Sequence, residues 1–156
     1  MATKKMALIA TKGTLDMAYP PFILASTAAA LGWEVQIFFT FYGLQLLRNS
    51  LDDIKISPLA NPAMPMPVPM PVMVQMLPGM ESMATMMMKN KMKSKGVASL
   101  QELRDLCLEA EVKFVACQMT VDLFEFETSE FIKDVEYGGA ATFMKFAGES
   151  DVCLFI

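Results

Sequence analysis

Two β-rich, mainly apolar runs constrain this chain more than any other feature. Lys5 to Thr11 and Trp33 to Thr40 each carry an unbroken apolar stretch, Met6 to Ala10 and Ile37 to Phe39, so both belong in a sheet covered on two sides, as parallel strands are. Between them, Pro21 to Leu31 reads as a helix with proline near its first turn and Gly32 just past its end. Strand, helix and strand make one βαβ unit. Downstream, Tyr42 to Asn49 reads as a short helix, Ser99 to Ala110 and Gly139 to Ala147 as helices, and Val112 to Cys117 and Val152 to Ile156 as strands. Ser99 followed by Glu102 is a capping box. Asp134 to Tyr137 adds a further short strand. The pattern predicts a single α/β domain, residues 1–156, with a mainly parallel, twisted sheet of about five strands.

An insert from Ile56 to Lys95 interrupts the alternation and holds 11 of the 16 methionines and seven of the nine prolines. Prolines at 65, 67, 69 and 71 remove every second amide donor and leave extended, polyproline-like backbone as the easy conformer. The uncharged run from Ile56 to Met80 is long enough to span a bilayer, but its prolines would strand backbone groups in lipid, so a span is rejected. From Met80 to Lys93 the pattern becomes an amphipathic helix. Met80, Met83, Met86 and Met87 share one face, and Lys89, Lys91, Lys93 and Lys95 load the C-terminal end. Methionine packs adaptably, so this face suits another subunit or partner. A lid over the cysteine site, copper(I) capture by thioethers and contact with a membrane surface are the lesser readings.

Composition removes whole classes of chemistry. With no histidine the chain cannot itself supply a Ser-His-Asp triad, a Cys-His pair or a histidine-ligated zinc site. Cys107, Cys117 and Cys153 are spaced too widely for a C-x-x-C motif. An odd number of cysteines without a signal peptide points to free thiols in a reducing compartment, hence a cytoplasmic location. A formal charge of −4 and a pI near 4.8 offer no footprint for nucleic acid. Apolar content of 54% and a mean hydropathy of +0.38 leave surplus apolar surface, and the interfaces of a homo-oligomer are its plainest destination.

Cys117 is the candidate reactive residue. It ends the run Val112 to Ala116 and precedes a helical turn, where backbone N–H groups favour an anion and lower a thiol's pKa. That suits a nucleophile or sulfur carrier facing a crevice at the strand ends; the alternative is a small buried hydrophobe. Thr11-Lys12-Gly13-Thr14 can form an anion-binding turn after the first strand, with Thr14 or Asp16 capping the segment after it. Gly138-Gly139 marks a second helix start where backbone can approach a ligand, or simply close helix packing. No G-x-G-x-x-G or Walker sequence occurs, so no cofactor and no metal is assigned.

The segments Thr11 to Pro20, Phe38 to Leu44, Asn61 to Pro65, Ala116-Cys117-Gln118-Met119-Thr120 and Val135 to Ala141 together resemble the DsrE/DsrF-like family, in particular its Met-rich branch. The resemblance runs from the first strand to the last residue. It implies a flavodoxin-like three-layer fold, assembly into homo-oligomers (a trimer or a multiple of it), and sulfur carried as a persulfide on Cys117. Rhodanese-type proteins or small sulfur carriers are the implied donors and acceptors. Cys107 resembles a recurrent cysteine of this branch and is assigned an auxiliary role. Glycine is expected where this chain has Glu111 and Glu125. Sulfane transfer is thiolate exchange and needs no general base. Gln118 and Thr120 could donate hydrogen bonds to the persulfide and Met119 could limit water, while Asp122 caps the helix or faces solvent. Cys153, inside the last apolar strand, is assigned to the core. Two rivals to this sulfurtransferase-like reading stay open: a non-catalytic oligomeric binding module gripping a partner through the insert, and a thiol redox protein cycling Cys107 and Cys117.

Overall fold

The computed structural model describes residues 2–58 and 71–156. The prolines at 65, 67 and 69 and the Asn61 to Pro65 segment lie outside the described residues. Strand β1 (Lys5–Ala10) leads into helix α1 (Leu15–Ala30) and strand β2 (Glu34–Phe39), the βαβ unit that the two apolar runs predict. A 3-10 helix (Phe41–Leu47) follows, then α2 (Val72–Gln75), α3 (Met80–Ser94), α4 (Leu100–Glu109) and β3 (Lys113–Cys117). Helix α5 (Gln118–Leu123), β4 (Glu136–Gly138), α6 (Ala140–Ala147) and β5 (Val152–Phe155) complete the chain. All five strands are parallel, in the order β4-β3-β2-β1-β5.

Strand order dictates the layers. From β1 to β3 the chain steps in one direction, so its crossovers lie on one face, where α1 packs against α4. From β4 it must return past β1 to reach β5, and the same handedness carries α6 across the opposite face. The result is a three-layer sandwich. Pleating then sorts the side chains. Leu8, Ala10, Ile37, Phe39, Phe114 and Ala116 join the α1/α4 core, whereas Ala7, Phe38, Val115 and Cys117 meet Phe143 of α6.

Helix α1 starts six residues before the predicted Pro21. Thr14, in extended conformation, is its N-cap and Asp16 falls in the first turn, so Pro20 and Pro21 lie inside the helix. Two backbone bonds are lost there. Burial of Leu15, Ala18, Phe22, Ala25 and Ala28 against the sheet offsets them.

Helix α3 is present, and its face of Met83, Met86 and Met87 is exposed. The inward side is Thr85, which accepts the Ile56 amide at 3.1 Å, with Met88 and Met92 against the α1/α4 core. The helix therefore packs across the sheet from Cys117, away from the position a lid would need. Pro71, at φ −58° and ψ 139°, is polyproline-like. No helix among the described residues is long and apolar enough to cross a membrane.

Four helices end in the same six-residue turn, in which the second residue past the cap donates back to the carbonyl five positions earlier: Trp33 to Ala28, Val97 to Met92, Val112 to Cys107 and Phe126 to Val121. The residue between must take a left-handed φ. Gly32 and Gly96 do so at no steric cost, but Glu111 (φ 61°) and Glu125 (φ 54°) occupy the equivalent places in the other two. These are the two positions at which the family resemblance anticipates glycine. Glu111→Gly is therefore expected to raise stability by about 1 kcal/mol, the left-handed penalty less glycine's extra chain entropy. Urea unfolding of the variant against the parent measures it; a loss of stability would contradict this account.

Candidate functional site at the end of strand β3

Cys117 is both the last residue of β3 and the N-cap of α5. It is 5% exposed, so the thiol sits just beneath the surface at the C-terminal end of its strand. On one side Phe39 pairs with Ala116, which brings Thr40, the next residue of that strand's exit, level with Cys117. On the other side Gly138 is the ladder partner of Cys117 itself. A methyl group on Gly138 would sit 3.1 Å from the Thr142 side chain, so this glycine permits close packing of α6.

Burial pushes the Cys117 thiol up, but hydrogen bonds from the Thr120 hydroxyl and amide, the Thr40 hydroxyl and the Met119 amide outweigh it and hold the pKa below the ordinary thiol value. The hydroxyls form a short relay. The Phe41 amide donates to Thr120 Oγ1 at 3.3 Å, and Thr40 Oγ1 lies 3.2 Å from Thr120 Oγ1. Each hydroxyl has one proton, so whichever of the pair accepts from the other keeps its own proton for sulfur, and with Thr120 Oγ1 already accepting from the Phe41 amide this places Thr120 in the relay to the thiol. A valine of the same shape removes that donor. Thr120→Val should slow alkylation of Cys117 by iodoacetamide about three- to tenfold at pH 7, the worth of one hydrogen bond to the thiolate. The sign follows from the lowered pKa: thiolate forms below the pH at which ordinary cysteines ionise, the variant shifts the rise upward, and the two rates converge once both thiols are ionised. An unchanged pH profile would remove Thr120 from the site.

The other expected residues divide. Thr120 and the Met119 backbone touch the thiol. The Met119 side chain points outward and is exposed, while Gln118 turns away and donates from Nε2 to Asp122 Oδ1 at 2.7 Å. Lys12 is exposed on the loop after β1. A methyl at Gly13 would strike the Tyr42 carbonyl oxygen, so that glycine seats the loop against the 3-10 helix. Thr14 pairs with Ser57 at 3.1 Å, and Asp16 accepts the Ser57 amide and hydroxyl. Gly139 is the N-cap of α6.

The remaining cysteines are not partners for Cys117. Cys107 is fully buried in the α1/α4 core, on the other face of the sheet, and donates to the Phe22 carbonyl at 3.4 Å. Burial pushes its pKa up to about 12. Cys153 is exposed, not in the core as its apolar strand suggested, because β5 is the sheet edge and has a neighbour on one side only. Sequence inspection missed Thr40 as a sulfur contact. The available signal was that it ends an apolar run as Cys117 does. Among the described residues, no cluster of three or more His, Cys, Asp or Glu side chains is arranged to hold a metal ion.

Comparison with known proteins agrees with this architecture. The chain is 66% identical, over the whole length of both, to the sulfur carrier protein DsrE2 of Allochromatium vinosum. It is 34% identical, over 99% of this chain and 98% of the other, to the uncharacterized protein YrkE of Bacillus subtilis. The crystal structure of the ychN protein from E. coli superposes with a TM-score of 0.57 at 11% identity, covering 99% and 100% of the two chains, which extends the likeness of fold well beyond that of sequence. The DsrE/DsrF/DrsH-like family profile matches residues 2–155, and with a relative at 66% identity end to end the chain belongs to that family.

Proposed function

We propose that this protein is a sulfur carrier that holds sulfane sulfur as a persulfide on Cys117 and hands it to an acceptor protein. The observation that carries the reading is a thiol at a strand–helix junction beside the Thr40–Thr120 hydroxyl pair and the Met119 and Thr120 amides, which hold its pKa below the ordinary value. In loading, the Cys117 thiolate attacks the outer sulfur of a donor persulfide; the new S–S bond forms as the donor's S–S bond breaks, and the donor leaves as a thiolate. In unloading, an acceptor thiolate attacks the same outer sulfur and Cys117 departs. No net oxidation occurs. Thr40 and Thr120 stabilise Cys117 both as nucleophile and as leaving group. The homology to a protein named as a sulfur carrier supports the same reading.

Incubation with polysulfide, or with thiosulfate plus a rhodanese, should add mass to Cys117 in steps of one sulfur atom, and dithiothreitol should remove it. Absence of the adduct, or an adduct confined to Cys153, would overturn the proposal. The placement of Cys107 on the opposite face, with its high pKa, argues against a Cys107–Cys117 redox cycle. Homo-oligomerisation is part of the proposal: exposed Leu154 and Phe155 on the β5 edge and Met144 on α6 supply apolar surface for it.

A further inference from the structure

Helix α5 leads from Cys117 directly into an apolar outcrop that persulfide chemistry does not use. Met119, Leu123 and Tyr42 are about 60% exposed or more, and Phe41 and Phe124 more than a third. The Phe124 ring is edge-on to Phe41, with centroids 6.3 Å apart, and stacked on Tyr42 at 6.1 Å. Phe41 has a φ of 48°, a backbone state that a bulky residue rarely adopts, and its amide is tied to the hydroxyl of Thr120, the same group that serves the thiol. Left-handed strain at a bulky residue concentrates at functional sites, and here it holds a half-exposed aromatic ring in the outcrop.

The rim of the outcrop is acidic. From Cys117 to Phe131 the chain has Asp122, Glu125, Glu127 and Glu130 and no lysine or arginine. Glu130 is paired with Arg48 at 3.3 Å, while the other three are exposed and form no ion pair among the described residues. A second copy presenting the same outcrop would set acid against acid. Two cations lie nearby: Lys12, on the loop seated against Tyr42, and Arg48, which sits over the Phe126 ring at 5.2 Å and is neutralised by Glu130.

Building on the sulfur-carrier reading, we propose that this outcrop docks the protein that exchanges sulfur with Cys117, and that the partner presents its thiol on an apolar tip ringed by lysine and arginine. The aromatic patch desolvates the two sulfurs, and the acidic rim steers and orients the incoming chain.

The test needs no sulfane sulfur, so its outcome is separable from that of the loading experiment. Two synthetic peptides carry one cysteine between leucines, flanked by lysine and arginine in one and by glutamate in the other. Each is presented as its mixed disulfide with thionitrobenzoate to the otherwise intact Cys153→Ser protein. The Cys117 thiolate attacks the peptide sulfur, the Cys117–peptide bond forms, and thionitrobenzoate leaves as a coloured thiolate. Rates are normalised to those of the same peptides with glutathione. The basic peptide should react at least about tenfold faster than the acidic one at low salt, the ratio falling towards one near 1 M salt. Asp122→Lys with Glu127→Lys should erase the preference, whereas Asp105→Lys with Glu109→Lys on α4 should preserve it. Tyr42→Ser with Leu123→Ser should slow the basic peptide and leave the small-reagent rate unchanged. Equal peptide rates, equal effects of the near and remote charge reversals, or dissociation of an oligomer by Tyr42→Ser with Leu123→Ser would overturn the proposal, the last by assigning the outcrop to a second copy.

Discussion

Cys117→Ser is expected to fold normally and to lose transferable sulfur down to the level of a protein-free control. A serine hydroxyl fits where a 5%-exposed thiol sat and keeps contact with Thr40 and Thr120, but with a pKa far above neutrality it neither attacks sulfane sulfur nor leaves from it. The other two cysteines calibrate the result. Cys107→Ser should still load. It replaces a weak thiol donor to the Phe22 carbonyl with a hydroxyl in an apolar core, at a cost of about 1–2 kcal/mol in stability and a partial loss of capacity in proportion. Cys153→Ser should hardly change loading, since that thiol is exposed on the edge strand, away from the hydroxyl pair. Transfer from sulfur donor to acceptor thiol, followed by intact mass, separates the three; wild-type rates in Cys117→Ser would remove the central residue from the mechanism.

Arg104→Ala should be the most destabilising single change in the α4 layer, at about 3 kcal/mol, which for a chain of this size lowers the midpoint of thermal unfolding by roughly 10 °C. Arg104 is 1% exposed and has no carboxylate partner among the described residues. Its guanidinium instead donates to the carbonyls of Leu46 and Arg48 at 3.0 and 2.6 Å, and to Gln101 Oε1 at 3.0 Å. Burial lowers its pKa, yet an arginine stays charged at neutral pH. The cation thus closes the C-terminal end of the 3-10 helix, where carbonyl oxygens accumulate without amide partners. Alanine would leave those carbonyls dry and unpaired and open a cavity; Arg104→Met, which refills the space without the donors, should cost about half as much. Urea denaturation at pH 7 measures both. A loss below about 1 kcal/mol in the alanine variant would show that water satisfies the same carbonyls.

Local pattern made much of the scaffold legible. The β-rich apolar runs identified β1 and β2 as doubly covered strands, and the Ser99–Glu102 capping box is present with both of its bonds. Helices α3, α4 and α6 fall within a residue or two of their expected limits. Cys117 was legible as the end of a strand and the start of a helix, because both are properties of its immediate neighbours. Helix α1 departs from its expected start for a reason outside its own sequence: burial against the sheet holds Pro20 and Pro21 in a helix that local propensity would end.

By itself, then, the sequence determined a mainly parallel α/β sheet, a chemistry without histidine, and one cysteine at the exit of a strand. These depend on side-chain type and on spacings of a few residues, the range over which a helix turn or a strand pleat repeats. Only the tertiary structure decided which groups meet that cysteine. Strand order put Thr40 beside Cys117, although the two lie far apart in the chain, and it put β5 at the edge, which exposes Cys153. The crossover through α4 placed Cys107 on one face of the sheet and the pleat of β3 turned Cys117 to the other. The tight turns after α4 and α5 forced Glu111 and Glu125 into left-handed backbone. Each of these follows from pairing between distant segments, where the free energy comes from contacts that no local periodicity encodes.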